Sequence, residues 1–423
     1  MKINRAYRVE LDPNNRQRTV LLRHAGCARW AWNWGLRRKI EEYKTHGKSP
    51  GAMALHRELN TLKQTELPWM YEVSKCAPQE ALRDLDRAYQ NFWRRCKAND
   101  SRKGFPRFKS RKNGVGSFRL TGAIRSTPSG RHVQLPRLGK IRVQHGERGY
   151  LPGSNDIRVK ILSATVSERA GRWFVSLQVE ETLPTPRTKA NGSVLGIDVG
   201  VKHLAVCSDG TVIENPRALK GAETRLRRLQ KSVSRKVKGS RNRRKAVQRL
   251  ARQHYRVSNI RRDAIHKATT EIVRKASVIG LETLNVKGML RNHRLARSLS
   301  DAALSEFHRQ IEYKAAWSGV EVVRADRFYP SSKTCSCCGH VVDDLSLSDR
   351  VFRCPPTEGG CGLEIDRDLN AAHNLKAMAE SSSVSPSGAK ACGEASSGSI
   401  PRGGVKLASV KQEPNSSPRL RIA

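Results

Sequence analysis

Acidic residues are scarce. The chain has 38 Asp and Glu against 80 Lys and Arg, a formal net charge of +42 over 423 residues. An excess of that size is a field rather than a surface detail, and its natural counterpart is the phosphate backbone of nucleic acid. Long apolar runs are missing as well. No stretch of about 18 apolar residues occurs, which excludes a membrane-spanning helix. The opening residues, Met1-Lys2-Ile3-Asn4-Arg5-Ala6-Tyr7-Arg8, lack the apolar core of a secretory signal, so a cytoplasmic chain is expected. Hydrophobic residues are 37%, below the globular average yet enough to fold most of the chain. No fixed-period repeat is present. The length suits about two or three domains.

Cysteine is unevenly spread. Cys335, Cys337, Cys338, Cys354 and Cys361 share one 27-residue window, while Cys27, Cys76, Cys96, Cys207 and Cys392 are scattered singly. Clustering of this kind in a long chain without a secretory signal reads as metal ligation in a reducing compartment, not as a disulfide framework.

The N-terminal alternation Tyr7, Val9, Leu11 predicts a strand, and Asp12-Pro13 a capped helix start. Val20, Leu21, Ala25, Ala28, Trp30, Ala31 and Trp34 then follow at helical spacing, and Leu82, Leu85, Tyr89 and Phe92, with Trp93 beside it, predict a second helix packed by its aromatics. Residues 102–112 interleave cations with Phe105 and Phe108 around Gly104 and Pro106. That is a basic loop of the kind that suits RNA or single strands, or simply a solvated charged loop. Between 115 and 183 the period becomes two, at Ile157, Val159 and Ile161 and again at Trp173, Val175, Leu177 and Val179, with the turn at Ala170-Gly171. Leu135, Leu138, Ile141 and Val143 add shorter strands. This is a small all-β region, barrel-like and continuous with the N-terminal strand. Leu183-Pro184-Thr185-Pro186 reads as a linker.

From residue 194 the pattern is mixed α/β. Strands are expected at 194–199, 204–207, 278–281 and 320–323, with a helix over 300–316 presenting Leu304, Phe307 and Ile311 on one face. Residues 217–262 carry 18 Lys or Arg and one acid, Glu223, with a thin apolar stripe, and so predict phosphate-contacting helices. In 377–423, Ser, Gly and Pro are 20 of 47 residues and no aromatic occurs, so a disordered tail is expected.

At three places acids stand where apolar residues belong. Asp198 interrupts Gly196-Ile197-Asp198-Val199-Gly200. Glu282 ends Val278-Ile279-Gly280-Leu281-Glu282. Asp366 and Asp368 open the helix Asp366-Arg367-Asp368-Leu369-Asn370-Ala371-Ala372. A carboxylate on a buried strand needs a cation to offset its desolvation. Three carboxylates from separate elements can hold two divalent ions about 4 Å apart, an arrangement for phosphodiester hydrolysis that suits Mg²⁺. Cys335 and Cys338 form a C-x2-C pair, and Cys354 begins a second pair that Cys361 closes at the wider C-x6-C spacing. Four thiolates bind Zn²⁺ tetrahedrally and fold a loop-rich unit too poor in apolar residues to fold alone. Cys337 is surplus, and His340 is an alternative to Cys361 as the fourth ligand.

The order Gly-Ile-Asp-Val-Gly, Gly-Leu-Glu, Pro330-Ser331-Ser332-Lys333-Thr334-Cys335-Ser336-Cys337-Cys338-Gly339 and Asp366-Arg367-Asp368-Leu369-Asn370-Ala371-Ala372-His373-Asn374 resembles the TnpB family, which insertion sequences encode and which is related to the type V CRISPR effectors. The resemblance covers residues 1 to about 376. It implies an RNase H-like, RuvC-type α/β nuclease over 190–332 and 363–376, with a zinc-binding, target-strand-loading unit over 333–362. It further implies a wedge-like β-barrel over 1–15 and 115–183, interrupted by a helical recognition insert over 16–114. The implied activity is RNA-guided, metal-dependent DNA cleavage by a prokaryotic, nucleoid-associated protein, although such chains are often named transposases. The implied catalytic and Mg²⁺-binding acids are Asp198, Glu282 and Asp368, with Asp366 the second choice for the third position. Cys335, Cys338, Cys354 and Cys361 are the implied zinc ligands. The implied partners are a guide RNA derived from the transposon end and double-stranded target DNA with a short flanking motif. Two competing readings are a non-cleaving transposition accessory or repressor, against which the carboxylate trio argues, and a DNA-strand transferase acting on element ends.

Overall fold

Strand β1 (Lys2–Asp12) runs straight through the N-terminal alternation, so the helix that follows starts later than Asp12-Pro13 suggests. In the computed structural model, which describes residues 1–144, 151, 158–184, 193–346, 348–356 and 359–383, the cap of α1 (Asn15–His46) is Asn14. Its side chain accepts the Gln17 N–H at 2.8 Å while the Gln17 side chain accepts the Asn14 N–H at 3.0 Å, a reciprocal capping box. Asp12 stays in the strand. Ile157, Thr185 and Pro186 of the expected linker, and everything beyond 383, including Cys392, lie outside the described residues.

The chain divides into two units, one holding Met1–Pro184 and the other the described residues from 193 to 383. In the first, α1 is followed by α2 (Ala52–Thr65) and α3 (Cys76–Lys97). Strands β2 (Ser117–Leu120), β3 (Arg125–Ser126), β4 (His132–Leu135), β5 (Gly139–Val143), β6 (Val159–Arg169) and β7 (Arg172–Thr182) come next. They join β1 in one antiparallel sheet of order β2-β6-β7-β1-β5-β4-β3. Among the described residues no pairing links β3 back to β2, and the strand pairings form a seven-stranded ladder. The helices pack on it through one shared core. Leu21, Leu36, Leu55, Leu59, Leu82 and Leu85 join Leu120, Val166, Val175 and Leu177, each fully buried side chain contributing about 1.5–3 kcal/mol. The helical aromatics divide. Trp32 and Tyr89 are buried, whereas Trp30 and Trp34 stack on each other half-buried and Trp93 is exposed. Helix α2 has no counterpart in the sequence reading, because its apolar stripe is only Leu55 and Leu59.

The second unit is built on β8 (Ser193–Asp198), β9 (His203–Cys207), β10 (Val212–Glu214), β11 (Ala276–Leu281) and β12 (Glu321–Arg324), in sheet order β10-β9-β8-β11-β12. The β8, β11 and β12 strands run parallel, with β9 and β10 antiparallel to their neighbours. The four strands expected from sequence are all present. The basic stretch is two helices, α4 (Ala218–Ser234) and α5 (Arg241–Lys275), the second capped by Ser240. The single helix expected at 300–316 is instead α7 (His293–Ala302) and α8 (Leu304–Ser318), preceded by the short α6 (Val286–Met289). Ala303, left-handed at φ 55°, breaks them. Leu195, Ile197, Ile279 and Leu281 face a core made with Ile265, Ile272, Phe307 and Ile311 of α5 and α8. Strand residues between them point to the opposite face. There lies α9 (Arg367–Ser383), which runs past residue 376, where the sequence reading begins the tail. A two-stranded ribbon, β13 (Val351–Arg353) and β14 (Glu364–Asp366), leads into it.

Candidate active site

Register sets the acids side by side. Ile197, Leu281 and Arg324 form one row across β8, β11 and β12, so the next row is Asp198, Glu282 and Ala325. The alignment is held beyond the strands: the Val199 N–H reaches Glu282 Oε1 at 3.4 Å, and the Ala325 N–H donates to the Leu281 carbonyl at 2.8 Å. Both carboxyls are half-buried. Burial pushes Asp198 well above the ordinary carboxylate range, with Glu282 and then Asp368 adding to the rise and Arg367 opposing it. Glu282 is pushed up to about 7, again first by burial, against the Val199 N–H that favours its charged form. Glu282 raises Asp198 and Asp368 raises both, so like charge is crowded into one place, and a cation is what relieves such crowding.

The third carboxylate arrives because two strand residues have no side chain. A Cβ on Gly196 would lie 1.9 Å from the Ala372 carbonyl oxygen and 2.3 Å from the Lys376 nitrogen. One on Gly280 would lie 2.2 Å from the Leu375 oxygen. Helix α9 therefore rests on bare strand backbone, and its first turn reaches the ends of β8 and β11. The glycines of Gly-Ile-Asp and Gly-Leu-Glu are spacers for the helix that carries the partner acid.

The two acids of the Asp366-Arg367-Asp368 stretch differ. Asp366 is exposed, and its Oδ1 accepts the N–H groups of Asp368 at 2.9 Å and Leu369 at 3.2 Å, the geometry of an N-cap. Asp368 is half-buried and is the one whose charge raises both Asp198 and Glu282. Arg367 turns away to the preceding loop, donating to the Ser346 carbonyl at 2.6 Å.

The four expected cysteines converge. The Sγ atoms of Cys335, Cys338, Cys354 and Cys361 lie within 4.8 Å of one another, the one such donor group found among the described residues. Cys335–Cys361 is 3.5 Å and Cys338–Cys354 is 3.6 Å, far beyond a disulfide bond. Four sulfurs about 2.3 Å from a tetrahedral ion stand about 3.8 Å apart, so the donor set fits Zn²⁺. The backbone N–H of His340 pulls the Cys338 thiol down to about 6, whereas burial pushes Cys354 up to about 12. The wide second spacing closes because the Gly360 N–H returns to the Pro355 carbonyl at 3.1 Å, where a Cβ would lie 2.4 Å from Cys354 Sγ. Cys337 is exposed and outside the group, and the half-buried His340 side chain is outside it too.

Sequence reasoning missed three supporting residues. Asn370 and Asn374, one helical turn apart and buried on α9, bond the backbone of residues 331–336. Asp301 of α7, 6% exposed, accepts the Leu219 and Lys220 N–H groups at the start of α4 and the Arg261 guanidinium of α5 at 2.7 Å. It pins the basic helices together. The two asparagines had a signal in the Asn-Ala-Ala-His-Asn spacing, which puts both on one helix face; Asp301 had none.

Family models match over residues 164–293 ("Probable transposase", of the IS605 OrfB type) and 305–375 ("Cas12f1-like, TNB domain"). A helix-turn-helix model matches residues 1–48, where the chain folds as β1 and the single long α1. A Streptomyces pristinaespiralis protein named "Putative RNA-guided DNA endonuclease" is 37% identical, covering 98% of this chain and 97% of its own. An Escherichia coli K12 protein of the same description, InsQ, is 32% identical over 89% and 92%. The solved structure of a mini-RNA-guided endonuclease, CRISPR-Cas phi3, aligns over 89% of this chain and 92% of that one at 10% identity, with a TM-score of 0.47. Near full-length similarity at this level places the chain in the IS605 OrfB class. It belongs to the TnpB family.

Proposed function

We propose that the protein is an RNA-guided DNA endonuclease whose cleavage centre is Asp198, Glu282 and Asp368. The observation that carries the reading is the crowding of these carboxylates at adjacent strand ends, in a chain otherwise charged +42. Divalent ions, for which Mg²⁺ is the natural choice, supply Lewis acidity and an activated water when bound between such carboxylates. The chain's own part is to hold the three acids oriented and close together, so that a bound cation offsets the cost of ionising Asp198 and Glu282. Backbone donation from Val199 fixes Glu282, and Asp366 caps α9 so that Asp368 faces inward. The exposed cations of α4 and α5 supply sequence-independent attraction for phosphates, while pairing to a guide RNA from the transposon end supplies sequence. The four thiols hold a structural Zn²⁺. The target is double-stranded DNA bearing a short flanking motif, and the setting is the prokaryotic cytoplasm; no helix among the described residues is long and apolar enough to cross a membrane.

The test is to sequence the RNA that copurifies with the protein and to offer the complex matching DNA with Mg²⁺. Cleavage by wild type, its loss in Asp198→Ala and Glu282→Ala, and unchanged RNA content in both are expected. Comparable cleavage by Asp198→Ala sinks the mechanism; bound RNA without any cleavage by wild type favours a non-cleaving accessory or repressor.

A further inference from the structure

We propose that Phe328, with Arg327 beside it, is a nucleobase-stacking subsite that holds a single DNA strand against the carboxylates; the inference rests on the nuclease reading above. Phe328 is 82% exposed, more than any other large apolar side chain among the described residues. A lone exposed ring is ordinarily of no consequence. This one has a fixed place. Ala325 stands in the same row as Asp198 and Glu282, and the chain on either side of Glu282 grips it: Leu281 accepts its N–H at 2.8 Å, and the Thr283 hydroxyl donates to its carbonyl at 2.8 Å. Phe328 follows three residues later.

The turn between them is tied down. Asp326 Oδ1 accepts the Phe328 N–H at 2.9 Å, and the Tyr329 hydroxyl bonds the Asn374 carbonyl of α9 at 3.4 Å. The ring is thus presented by a loop anchored both to the Glu282 strand and to the helix of Asp368. The Arg327 guanidinium lies 5.3 Å from the ring centroid. A cation beside an exposed π-face matches the chemistry of a base with its phosphate: the base stacks, and the guanidinium meets the negative oxygens. A protein partner would be expected to meet an apolar patch; here Arg327, on one side of the ring, is exposed and Tyr329, on the other, is half-buried and tied to α9. Stacking tolerates any base, as a guided enzyme requires.

The experiment uses the full chain with the RNA it copurifies with. The probe is DNA complementary to that RNA, extended by a single-stranded tail carrying 2-aminopurine at successive positions. With Ca²⁺ in place of Mg²⁺, wild type should quench the fluorophore at one tail position. Phe328→Ala and Phe328→Leu should both lose that quenching and weaken tail binding on the order of tenfold. Phe328→Trp should keep both. With Mg²⁺ the same two losses should appear in KM more than in kcat. Quenching unchanged in Phe328→Ala, or full function in Phe328→Leu, overturns the subsite. Failure of the nuclease reading looks different: wild type quenches the tail but never cuts it.

Discussion

Asn370 Nδ2 donates to the Thr334 carbonyl at 2.7 Å, while its Oδ1 accepts the Ser336 N–H at 2.9 Å. One fully buried side chain on α9 thereby holds both sides of Cys335, the first thiol of the four-cysteine group. Asn374, one turn on, shares the Thr334 carbonyl at 2.6 Å. The cysteine unit and the helix of Asp368 are joined through these two amides, so the thiol group can brace Asp368.

The first prediction follows from that joint. In Asn370→Ala the Thr334 carbonyl keeps Asn374, but the Ser336 N–H is left buried without a partner, at a cost of about 1–3 kcal/mol. Zinc content should stay at wild-type level, hydrogen exchange in the first turn of α9 should quicken, and DNA cleavage should fall. Asn370→Asp, which retains the acceptor, should be milder in exchange. Quickened exchange with undiminished cleavage would show that the thiol group does not brace Asp368.

A second prediction separates the neighbouring acids. Asp366→Asn keeps an oxygen for the Asp368 and Leu369 N–H groups and should retain activity, while Asp366→Ala should lose about 1 kcal/mol of helix stability. Asp368→Asn should abolish cleavage with the helix intact. The reverse pattern in a cleavage assay would move the third ligand to Asp366.

The thiol group makes a third. Purified protein should contain about one Zn²⁺ per chain. Cys361→Ser should lose it, because Cys361 Sγ stands 3.5 Å from Cys335 Sγ and the His340 side chain is outside the group. Cys337→Ser should leave zinc unchanged. Retained zinc in Cys361→Ser would mean that another donor completes the site.

Most of the second unit was legible because its strands are short apolar runs that end in an acid. Asp198 and Glu282 stand half-buried at the ends of such runs, where desolvation makes a carboxylate costly. The thiols were legible from clustering alone, even with the wide second spacing. Three-dimensional crowding was not legible. Gly196 and Gly280 read as ordinary strand residues until α9 is seen to lie on them, and the break at Ala303 has no glycine or proline to announce it. The cap shifted from Asp12 to Asn14 because strand pairing of Leu11 and Asp12 with Val143 and Arg142 outcompetes a local helix start. Barrel closure depends on edge pairing that no periodicity encodes.

The last prediction concerns acid. His308 of α8 is 7% exposed, its Nε2 has no hydrogen-bond partner among the described residues, and burial, with Arg324 of β12 adding and Glu312 opposing, lowers its pKa to about 4. The unfolded chain binds that proton near pH 6.5, so between 6.5 and 4 the unfolded state carries more protons than the folded one. The linkage slope is then positive: stability is full above 6.5 and is lost as pH falls towards 4, by at most roughly 3 kcal/mol. Hydrogen exchange of α8 amides, with intrinsic rates corrected for pH, should therefore show protection falling between pH 6.5 and 5. In His308→Leu, which removes the proton acceptor and keeps the site apolar, that fall should be reduced several-fold. An equal loss of protection in wild type and His308→Leu would assign the acid sensitivity of the helix to other groups.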